Sequence, residues 1–215
     1  MPSRKPNFIT FTGADDRTDV GEMAKLSADY PIEWGILFSP SQQGRSPRFP
    51  GGEAQSRLLW SGLDLAAHLC GAHSRNIMDG RDIESPVDLG IFKRIQINTF
   101  RPDAARINAF RKDWGPRCIA QATGKTFPKD TSIDWLFDVS AGAGVLPEKW
   151  PPYPGRFVGY AGGIGPDNVL QVIGEIDASG PYWIDMETRV RTDEWFDLDL
   201  CRQVCEAVYG NEKSS

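Results

Sequence analysis

The segment Ala161-Gly162-Gly163-Ile164-Gly165-Pro166-Asp167-Asn168-Val169 follows a short apolar run at 156–160. Apolar runs of this length that end in glycine or proline are typical of buried strands. Pro166 suits the first turn of a helix, because the N–H that proline lacks has no intrahelical partner there. The segment therefore predicts a strand that ends in a glycine turn and is followed by a helix over 166–173.

The same pattern of a short apolar run followed by a turn residue recurs along the whole chain. Most of these runs are apolar throughout instead of alternating, as expected for parallel strands that are covered on both faces. The eight predicted strands are 7–12, 34–38, 64–69, 94–99, 118–121, 134–139, 156–160 and 182–186.

Helical patterns lie between many of these runs. The predicted helices are 18–28, 54–61, 103–114, 166–173 and 197–209, with weaker helical patterns at 73–79, 125–132 and the proline-rich stretch 147–154. Eight strands that alternate with helices in β-then-α order predict an α/β fold of the (β/α)8 TIM barrel type. A flavodoxin-like or Rossmann sheet also alternates, but it leaves two or three of the strands unexplained.

The length of the chain bounds the number of domains. A chain of 215 residues has the usual length of one domain, so we expect a single barrel over 1–215. The glycine- and proline-rich stretch 39–52 is expected to form a long loop after the second strand. Residues 210–215 are expected to form a flexible tail.

Composition and charge exclude several classes of protein. The net charge of −5, with the basic residues scattered, argues against a nucleic-acid partner. The longest apolar runs are too short to span a bilayer, and the first residues lack the apolar core of a secretory signal. The four cysteines show no framework spacing, so we expect a reduced, cytoplasmic protein. The oligomeric state, monomer or homodimer, stays open.

In a (β/α)8 barrel the reacting groups lie at the C-terminal ends of the strands and in the loops that follow. The candidates that this rule selects are Thr12, Asp15, Asp16, Arg45, Arg48, His68, Cys70, Asn98, Gln121, Asp138, Gly162, Gly163, Asp185, Glu187, Arg189 and Arg191. His68, Cys70 and the nearby His73 offer part of a zinc-binding set or a proton acceptor. A fourth ligand is not visible, so the preferred interpretation is a buried histidine, with no metal and no cofactor.

Two places among these candidates have a specific chemical interpretation. Gly162 and Gly163 allow a ligand to approach the backbone, and barrels commonly bind phosphate at the loops after strands seven and eight. The alternative for these glycines is a tight turn before a capped helix, without a ligand. Asp138 ends an apolar strand, so it faces the mouth of the barrel or has a partner. It is either a general acid or a residue that caps a loop.

These segments resemble phosphoribosylanthranilate isomerase, the barrel enzyme of the tryptophan pathway. That family shows Leu-Asp followed by Gly-Gly-Thr-Gly, then Ala-Gly-Gly-Leu-x-Pro-x-Asn-Val, then Val-Asp-Val-Ser-Ser-Gly-Val-Glu. The similar residues here are Phe137-Asp138 with Gly142-Ala143-Gly144, then 161–169, then Ile184-Asp185-Met186-Glu187-Thr188-Arg189. Upstream, Phe38-Ser39-Pro40 and Ser46-Pro47-Arg48 are similar to the end of the family's second strand and its Ser-Pro-Arg. The similarity spans the chain, and strands six and seven carry its specific part.

The resemblance implies an Amadori rearrangement, in which an acid protonates a ring oxygen and a base removes a proton from C2. It implies that Asp138 is the acid, that Asp185 is the acid of strand eight and that Arg48 contacts the anthranilate carboxylate. The phosphate cradle that it implies consists of Gly144, Gly162 and Gly163.

The sequence departs from the family at two of these places. Thr12 stands where the family has its catalytic cysteine, and a threonine hydroxyl without an adjacent base is a poor proton acceptor near neutral pH. Glu187-Thr188-Arg189 replaces the family's small Ser-Ser-Gly turn, which adds an acid and a cation near the phosphate position. If a residue other than Thr12 acts as the base, Asp138, Asp185 and Glu187 form an acid–base set. We therefore expect Arg189 to contact the phosphate and the substrate to be altered.

The leading functional hypothesis is an acid–base isomerase, an intramolecular oxidoreductase if active, that binds a small phosphorylated sugar-type ligand. One alternative is a barrel that binds such a ligand without turning it over. The other is a lyase that acts on another phosphorylated substrate. No lysine lies at the end of a predicted strand, which disfavours Schiff-base chemistry.

Overall fold

The computed structural model describes residues 4–85, 87–140 and 143–210, in which eight parallel strands close into one barrel. The strands, β1–β8 in chain order, are Phe8–Thr12, Ile32–Phe38, Leu65–Leu69, Arg94–Ile97, Arg117–Ala122, Asp134–Phe137, Val158–Ala161 and Tyr182–Met186. Each strand pairs with the next one along the chain, and β8 pairs with β1 to close the barrel. The predicted (β/α)8 fold class is confirmed, and each predicted strand overlaps an observed one.

Six α-helices follow β1–β4, β7 and β8 in the described part of the chain. These helices, α1–α6 in chain order, are Val20–Asp29, Gly52–Leu59, Ala72–Met78, Ala104–Trp114, Val169–Ile176 and Leu198–Tyr209. Asp19, Asp103 and Asp197 are the N-caps of α1, α4 and α6, and each side chain accepts hydrogen bonds from two backbone N–H groups. The weak helical pattern at 73–79 is confirmed by α3.

The two connections on either side of β6 contain no α-helix among the residues described, so the helices predicted over 125–132 and 147–154 are wrong. Asp130 holds a tight turn by accepting hydrogen bonds from the N–H and hydroxyl of Ser132. The stretch 147–154 carries four prolines, which exclude a regular helix. Phe127 and Trp150 cover the barrel here, because their rings pack edge-on against Tyr160 at centroid distances of 5.3 and 6.0 Å.

Helix α5 begins three residues later than predicted, so the placement of Pro166 in its first turn is wrong. Residues 166–168 instead form a turn that Asn168 holds together. The amide oxygen of Asn168 accepts from the N–H of Gly165, and its amide nitrogen donates to the carbonyl of Gly163, both at 2.8 Å. The buried face of α5 consists of Val169, Val172, Ile173 and Ile176, which is the spacing of a helix that packs on a core.

The interior of the barrel combines an apolar cluster with a buried ion pair. The apolar cluster consists of Ile119, Leu136, Ala161 and Trp183. Arg94 on β4 pairs with Glu33 on β2 at 2.5 Å, and its guanidinium lies 4.3 Å from the ring centroid of Trp183. Strand β2 begins at Ile32, two residues earlier than predicted, because Glu33 has its partner inside the barrel.

The loops around the mouth of the barrel include one long connection, residues 39–51, where the sequence predicts the long loop at 39–52. After β8, a 3₁₀ turn at Thr188–Val190 leads into a hairpin of β9, Arg191–Thr192, and β10, Trp195–Phe196. Gly210 is the C-cap of α6, and the rest of the predicted tail, 211–215, lies outside the described residues. No helix in the described ranges is long and apolar enough to cross a membrane.

Candidate active site

A cavity of about 370 Å³ opens at the C-terminal ends of the barrel strands. The strand-end candidates that line it are Thr12, Arg48, His68, Cys70, Asn98, Gln121, Asp138, Gly162, Gly163, Asp185, Glu187 and Arg189. Gly144, which the resemblance to the isomerase family adds, lines it as well. The fold therefore brings together all of the predicted catalytic and binding residues, whereas Asp15, Asp16, Arg45 and Arg191 do not line the cavity.

Thr12 and Asp185 form a buried hydrogen bond in the wall of the cavity. Thr12 ends β1, Asp185 lies on the neighbouring strand β8, and the Thr12 hydroxyl donates to Asp185 Oδ1 at 2.8 Å. Burial raises the pKa of the Asp185 carboxyl well above its ordinary value, while the hydrogen bond from Thr12 acts in the opposite direction. Thr12 thus has a carboxyl group next to it, and burial favours the protonated form of that carboxyl group.

His68 lies beside the same carboxyl group. Its Nε2 atom is 4.0 Å from Asp185 Oδ2, and the side chain is buried on β3. Burial lowers the pKa of His68 to about 3, and the positive charge of Arg94 acts in the same direction. Burial favours the neutral forms of both groups, so it opposes an ion pair between His68 and Asp185.

Gly35 on β2 creates the space in which these side chains meet. A Cβ atom at this position would overlap the Thr12 hydroxyl and lie 3.0 Å from His68 Nε2. Any side chain here would therefore push Thr12 and His68 apart. A glycine inside a predicted strand is the signal in the sequence for such a close approach.

Asp138, at the end of β6, both caps its loop and lines the cavity. Its Oδ1 atom accepts hydrogen bonds from the N–H of Ser140 at 2.9 Å and from the Ser140 hydroxyl at 2.8 Å. Its Oδ2 atom accepts from the side-chain amide of Gln121 at 3.2 Å. Of the two alternatives that the sequence left open, the loop cap is observed, and the role of general acid stays a prediction.

Strand register places Asp138 and Asp185 at a similar height in the barrel. Phe137 is paired with Tyr160, and the next residue of β7, Ala161, is paired with Asp185. Because β6 and β8 lie on either side of β7, their backbones are roughly 10 Å apart. A small ligand in the cavity can therefore contact both carboxyl groups.

Arg48 and Glu187 form an ion pair across the mouth of the barrel. Arg48 Nη1 donates to Glu187 Oε1 at 2.7 Å, and the side chains are only 25% and 21% exposed. Burial raises the pKa of Glu187, and the charge of Arg48 counteracts this effect in part. Arg48, which the resemblance assigns to a substrate carboxylate, is thus bound to a carboxylate of its own chain.

The arginines that follow β8 also have acidic partners. Arg189 pairs with Asp167 at 2.5 Å near the surface. Arg191 pairs with the buried Asp15 at 2.8 Å and donates to the carbonyl of Gly13 at 2.7 Å. Arg191 therefore anchors the loop after β1 and lies outside the cavity, whereas Arg189 lines it.

The glycines of the predicted phosphate cradle hold three loops together. Gly144, Gly162 and Gly163 all have a positive φ, which a residue with a side chain adopts only with strain. A Cβ atom at Gly163 would lie 2.6 Å from the backbone nitrogen of Leu146, and one at Gly144 would lie 2.7 Å from Thr188 Cβ. The backbone at these glycines thus lies close to neighbouring loops. Phosphate binding stays a prediction. Gly142 lies outside the described residues.

Strands β3 and β4 form a polar wall of the cavity, which includes Gln96 beside the candidates His68, Cys70 and Asn98. Gln96 is paired in register with His68 and donates to Asn98 Oδ1 at 2.9 Å, and Asn98 donates to Cys70 Sγ at 3.1 Å. The signal for Gln96 is its position two residues before Asn98, which puts both side chains on one face of the strand. The other lining residues absent from the candidates are Leu37, Phe49, Thr99, Phe100, Leu136, Ser140, Ala161, Ile164, Met186 and Thr188.

The partial zinc set of the sequence is not assembled at this site. His73 lies on α3 and does not line the cavity. Within the described ranges, no group of three or more His, Cys, Asp and Glu side chains is arranged to hold a metal ion. Burial raises the pKa of the Cys70 thiol to about 12, which disfavours thiolate chemistry near neutral pH.

No protein-family model matches the sequence, and no curated protein matches it at a significant level. Among solved structures, the chain is similar to N-(5'-phosphoribosyl)anthranilate isomerase from Pyrococcus furiosus, with a TM-score of 0.60 and 15% identity over 94% of this chain and 98% of that one. The phosphoribosyl anthranilate isomerase from Thermococcus kodakaraensis gives a TM-score of 0.58 and 14% identity over 95% and 99%.

A third similar structure is a mutant tryptophan synthase α-subunit from Pyrococcus furiosus. Its TM-score is 0.51, and it is 12% identical over 97% of this chain and 99% of that one. All three similar structures cover nearly the whole of this chain, in agreement with its (β/α)8 barrel fold. At identities this low they establish the fold alone.

Proposed function

We propose that this barrel is an acid–base enzyme of the isomerase type, which acts on a small phosphorylated sugar-type ligand at the mouth of the barrel. The observation that carries the proposal is that Asp138 and Asp185 line one cavity in contrasting surroundings. Hydrogen-bond donors face both oxygens of Asp138, whereas Asp185 is buried beside Thr12 and His68. Two carboxyl groups in contrasting surroundings are suited to separate roles as base and acid.

The contacts favour one assignment of these roles. Asp138 lines the cavity and accepts hydrogen bonds on both carboxylate oxygens, so we assign it the role of the base. Burial favours the protonated form of Asp185, so Asp185 suits the acid. The resemblance to the isomerase family implies the acid role for Asp138, and this difference is part of the proposal. Thr12 positions Asp185 through its hydrogen bond.

The proposed reaction moves one proton at carbon and one at oxygen in each half. In the first half, the C–H bond next to the carbonyl breaks, Asp138 takes the proton, and Asp185 gives its proton to the carbonyl oxygen. The product of this step is an enediol. In the second half, Asp138 returns its proton to the former carbonyl carbon, and the proton of the other enediol hydroxyl goes to Asp185. The aldose has become a ketose, and both side chains have returned to their starting forms.

We place the phosphate of the ligand at Gly144, Gly162 and Gly163, beside Arg189. In barrels of this type phosphate commonly lies at the loops after strands seven and eight, and these glycines present backbone without side chains to the cavity. The ion pair of Arg189 with Asp167 is partly exposed, so a phosphate can compete for the guanidinium at small cost. The fold shared with two phosphoribosylanthranilate isomerases supports a ligand of this class.

Solvent-exchange NMR tests the proposal. The wild-type protein is incubated in D2O with a panel of phosphorylated aldoses, and the C2 hydrogen is followed by 1H NMR. We expect at least one aldose phosphate to exchange this hydrogen and to form the ketose. Binding without exchange for every sugar contradicts the enzyme and favours a binding barrel. Cleavage of a carbon–carbon bond favours the lyase.

Rescue of a tryptophan auxotroph tests the reaction of the isomerase family separately. We expect no growth of a strain that lacks phosphoribosylanthranilate isomerase, because Arg48 is bound to Glu187 and Thr12 replaces the catalytic cysteine. Growth would show that the chain keeps the family's own reaction and that the proposed change of substrate is wrong.

A further inference from the structure

Two buried polar atoms on the β3–β4 wall of the cavity have no hydrogen-bond partner among the residues described. They are Nε2 of His68 and Oε1 of Gln96. The two residues are 2% and 4% exposed. The two residues are paired in register on neighbouring strands, and both line the cavity. The backbones of neighbouring strands lie about 4.8 Å apart, a separation that one small ligand group can bridge between the two side chains.

The position of these two atoms sets them apart from other buried polar atoms. In the described part of the chain, six buried side-chain atoms lack a partner, and the two that belong to cavity-lining residues are those of His68 and Gln96. A buried polar atom without a partner destabilises the folded protein, so its presence at a cavity needs an explanation. A ligand that supplies the missing hydrogen bonds is such an explanation.

We propose that His68 and Gln96 form a subsite that binds one hydroxyl group of the ligand. The proposal rests on the proposed function, since it needs a small ligand in the cavity. With its proton on Nε2, the imidazole donates to the hydroxyl oxygen, and the hydroxyl donates to Gln96 Oε1. A phosphate or carboxylate does not match, because Gln96 Oε1 offers only lone pairs. An apolar group leaves both atoms without partners.

The neighbouring contacts fix the orientation of this subsite. The amide nitrogen of Gln96 is already used for Asn98 at 2.9 Å, so the amide oxygen is the atom left for the ligand. His68 Nε2 is 4.0 Å from Asp185 Oδ2, which puts the bound hydroxyl beside the proposed acid. The hydroxyl that the subsite recognises is therefore carried by, or lies next to, the reacting carbons.

Binding of matched sugars tests the recognition of the hydroxyl. Calorimetry compares D-ribose 5-phosphate with the three analogues that lack the hydroxyl at C1, C2 or C3. We expect one analogue to bind the wild type at least 10-fold more weakly than the parent, since a buried polar group is then left unpaired. His68→Leu and Gln96→Leu should lose affinity for the parent by a similar factor and no longer distinguish it from that analogue. Equal binding of all four sugars to the wild type overturns the subsite.

The stability of the protein without ligand gives an independent readout. His68→Leu removes an unpartnered polar atom, so we expect its midpoint of thermal unfolding to rise. The matched control is Thr10→Val in the same barrel interior, which removes a hydroxyl that donates to Glu33 at 3.0 Å and should lower the midpoint. A lower midpoint for His68→Leu overturns the subsite, because His68 then has a structural partner.

The two proposals fail in different ways. If the wild type binds neither these four sugar phosphates nor any aldose phosphate of the exchange panel, the proposed ligand class is wrong, and the sign of the His68→Leu stability change still decides whether the imidazole is unpartnered. If the sugars bind but none of the analogues is distinguished, the subsite is wrong and the proposed function stands.

Discussion

Replacing His68 by leucine is expected to make the stability of the barrel less sensitive to acid. In the folded protein burial lowers the pKa of His68 to about 3, whereas in the unfolded chain the pKa is about 6.5. Between these two values the unfolded chain binds more protons than the folded protein. The free energy of unfolding therefore falls as the pH falls through this range. Leucine does not titrate, so the variant lacks this loss.

The size of the effect follows from the width of this range. Each pH unit below about 6.5 costs the wild type about 1.4 kcal/mol, which gives about 2 kcal/mol at pH 5. The charged and titratable groups next to His68, Asp185 and Arg94, are present in both proteins, so their effects largely cancel in the difference. At pH 7 the variant gains about 1 kcal/mol because the unpartnered Nε2 atom is gone. Its advantage therefore grows to roughly 3 kcal/mol at pH 5.

Urea unfolding followed by tryptophan fluorescence measures this difference at pH 5, 6, 7 and 8. His73→Gln is the matched control, since His73 is the other histidine of the chain and this variant keeps His68. The control should retain the loss of about 2 kcal/mol that His68 causes. A wild-type-to-variant difference that is constant with pH refutes the neutral buried imidazole. A variant that is less stable than the wild type at pH 5 shows that His68 is protonated and paired with Asp185.

Two further substitutions test other parts of the mouth of the barrel. Gly163→Ala should lower the free energy of unfolding by roughly 1–3 kcal/mol, because φ is +64° and the new Cβ would lie 2.6 Å from the nitrogen of Leu146. Gly174→Ala, at an open position of α5, should instead raise it by up to about 1 kcal/mol, and equal effects in urea unfolding contradict this explanation. Glu187→Gln should free the charge of Arg48 and tighten the binding of benzoate about 10-fold in a fluorescence titration, a gain of about 1.4 kcal/mol. An unchanged affinity shows that Glu187 does not block an anion site.

The strands could be predicted from the sequence because parallel strands that are covered on both faces are apolar throughout. The connections on either side of β6 could not, because Phe127 and Trp150 cover the barrel there in the place of helices. The start of α5 could not be predicted either. A proline before an apolar stretch predicts the first helical turn, but the two side-chain hydrogen bonds of Asn168 hold Pro166 in a turn outside the helix.

The residues of the site could be predicted because strand ends meet at the mouth of a barrel. The hydrogen-bond and ion-pair partners of these residues could not be predicted. The Arg48–Glu187 pair joins residues 139 positions apart, and the bond from Thr12 to Asp185 exists because β8 closes onto β1. The role of Gly35 depends on side chains of β1 and β3 that only the register brings next to it. The closure of the barrel and the register of its strands thus determine which side chains of the site contact one another.

The central claim, that this mouth is an acid–base site with Asp138 as its base, is tested most directly by Asp138→Asn. Asparagine keeps a carbonyl oxygen for the bonds from Ser140 but cannot take a proton. The measurement is the exchange of the C2 hydrogen of a bound aldose phosphate in D2O, with the dissociation constant determined on the same samples. Asp16→Asn is the control, since Asp16 accepts from the N–H of Gly51 at 2.7 Å and does not line the cavity.

We predict that Asp138→Asn lowers the exchange rate by about 100-fold or more and leaves the dissociation constant nearly unchanged, while Asp16→Asn changes neither. Exchange by Asp138→Asn at the wild-type rate would contradict the account.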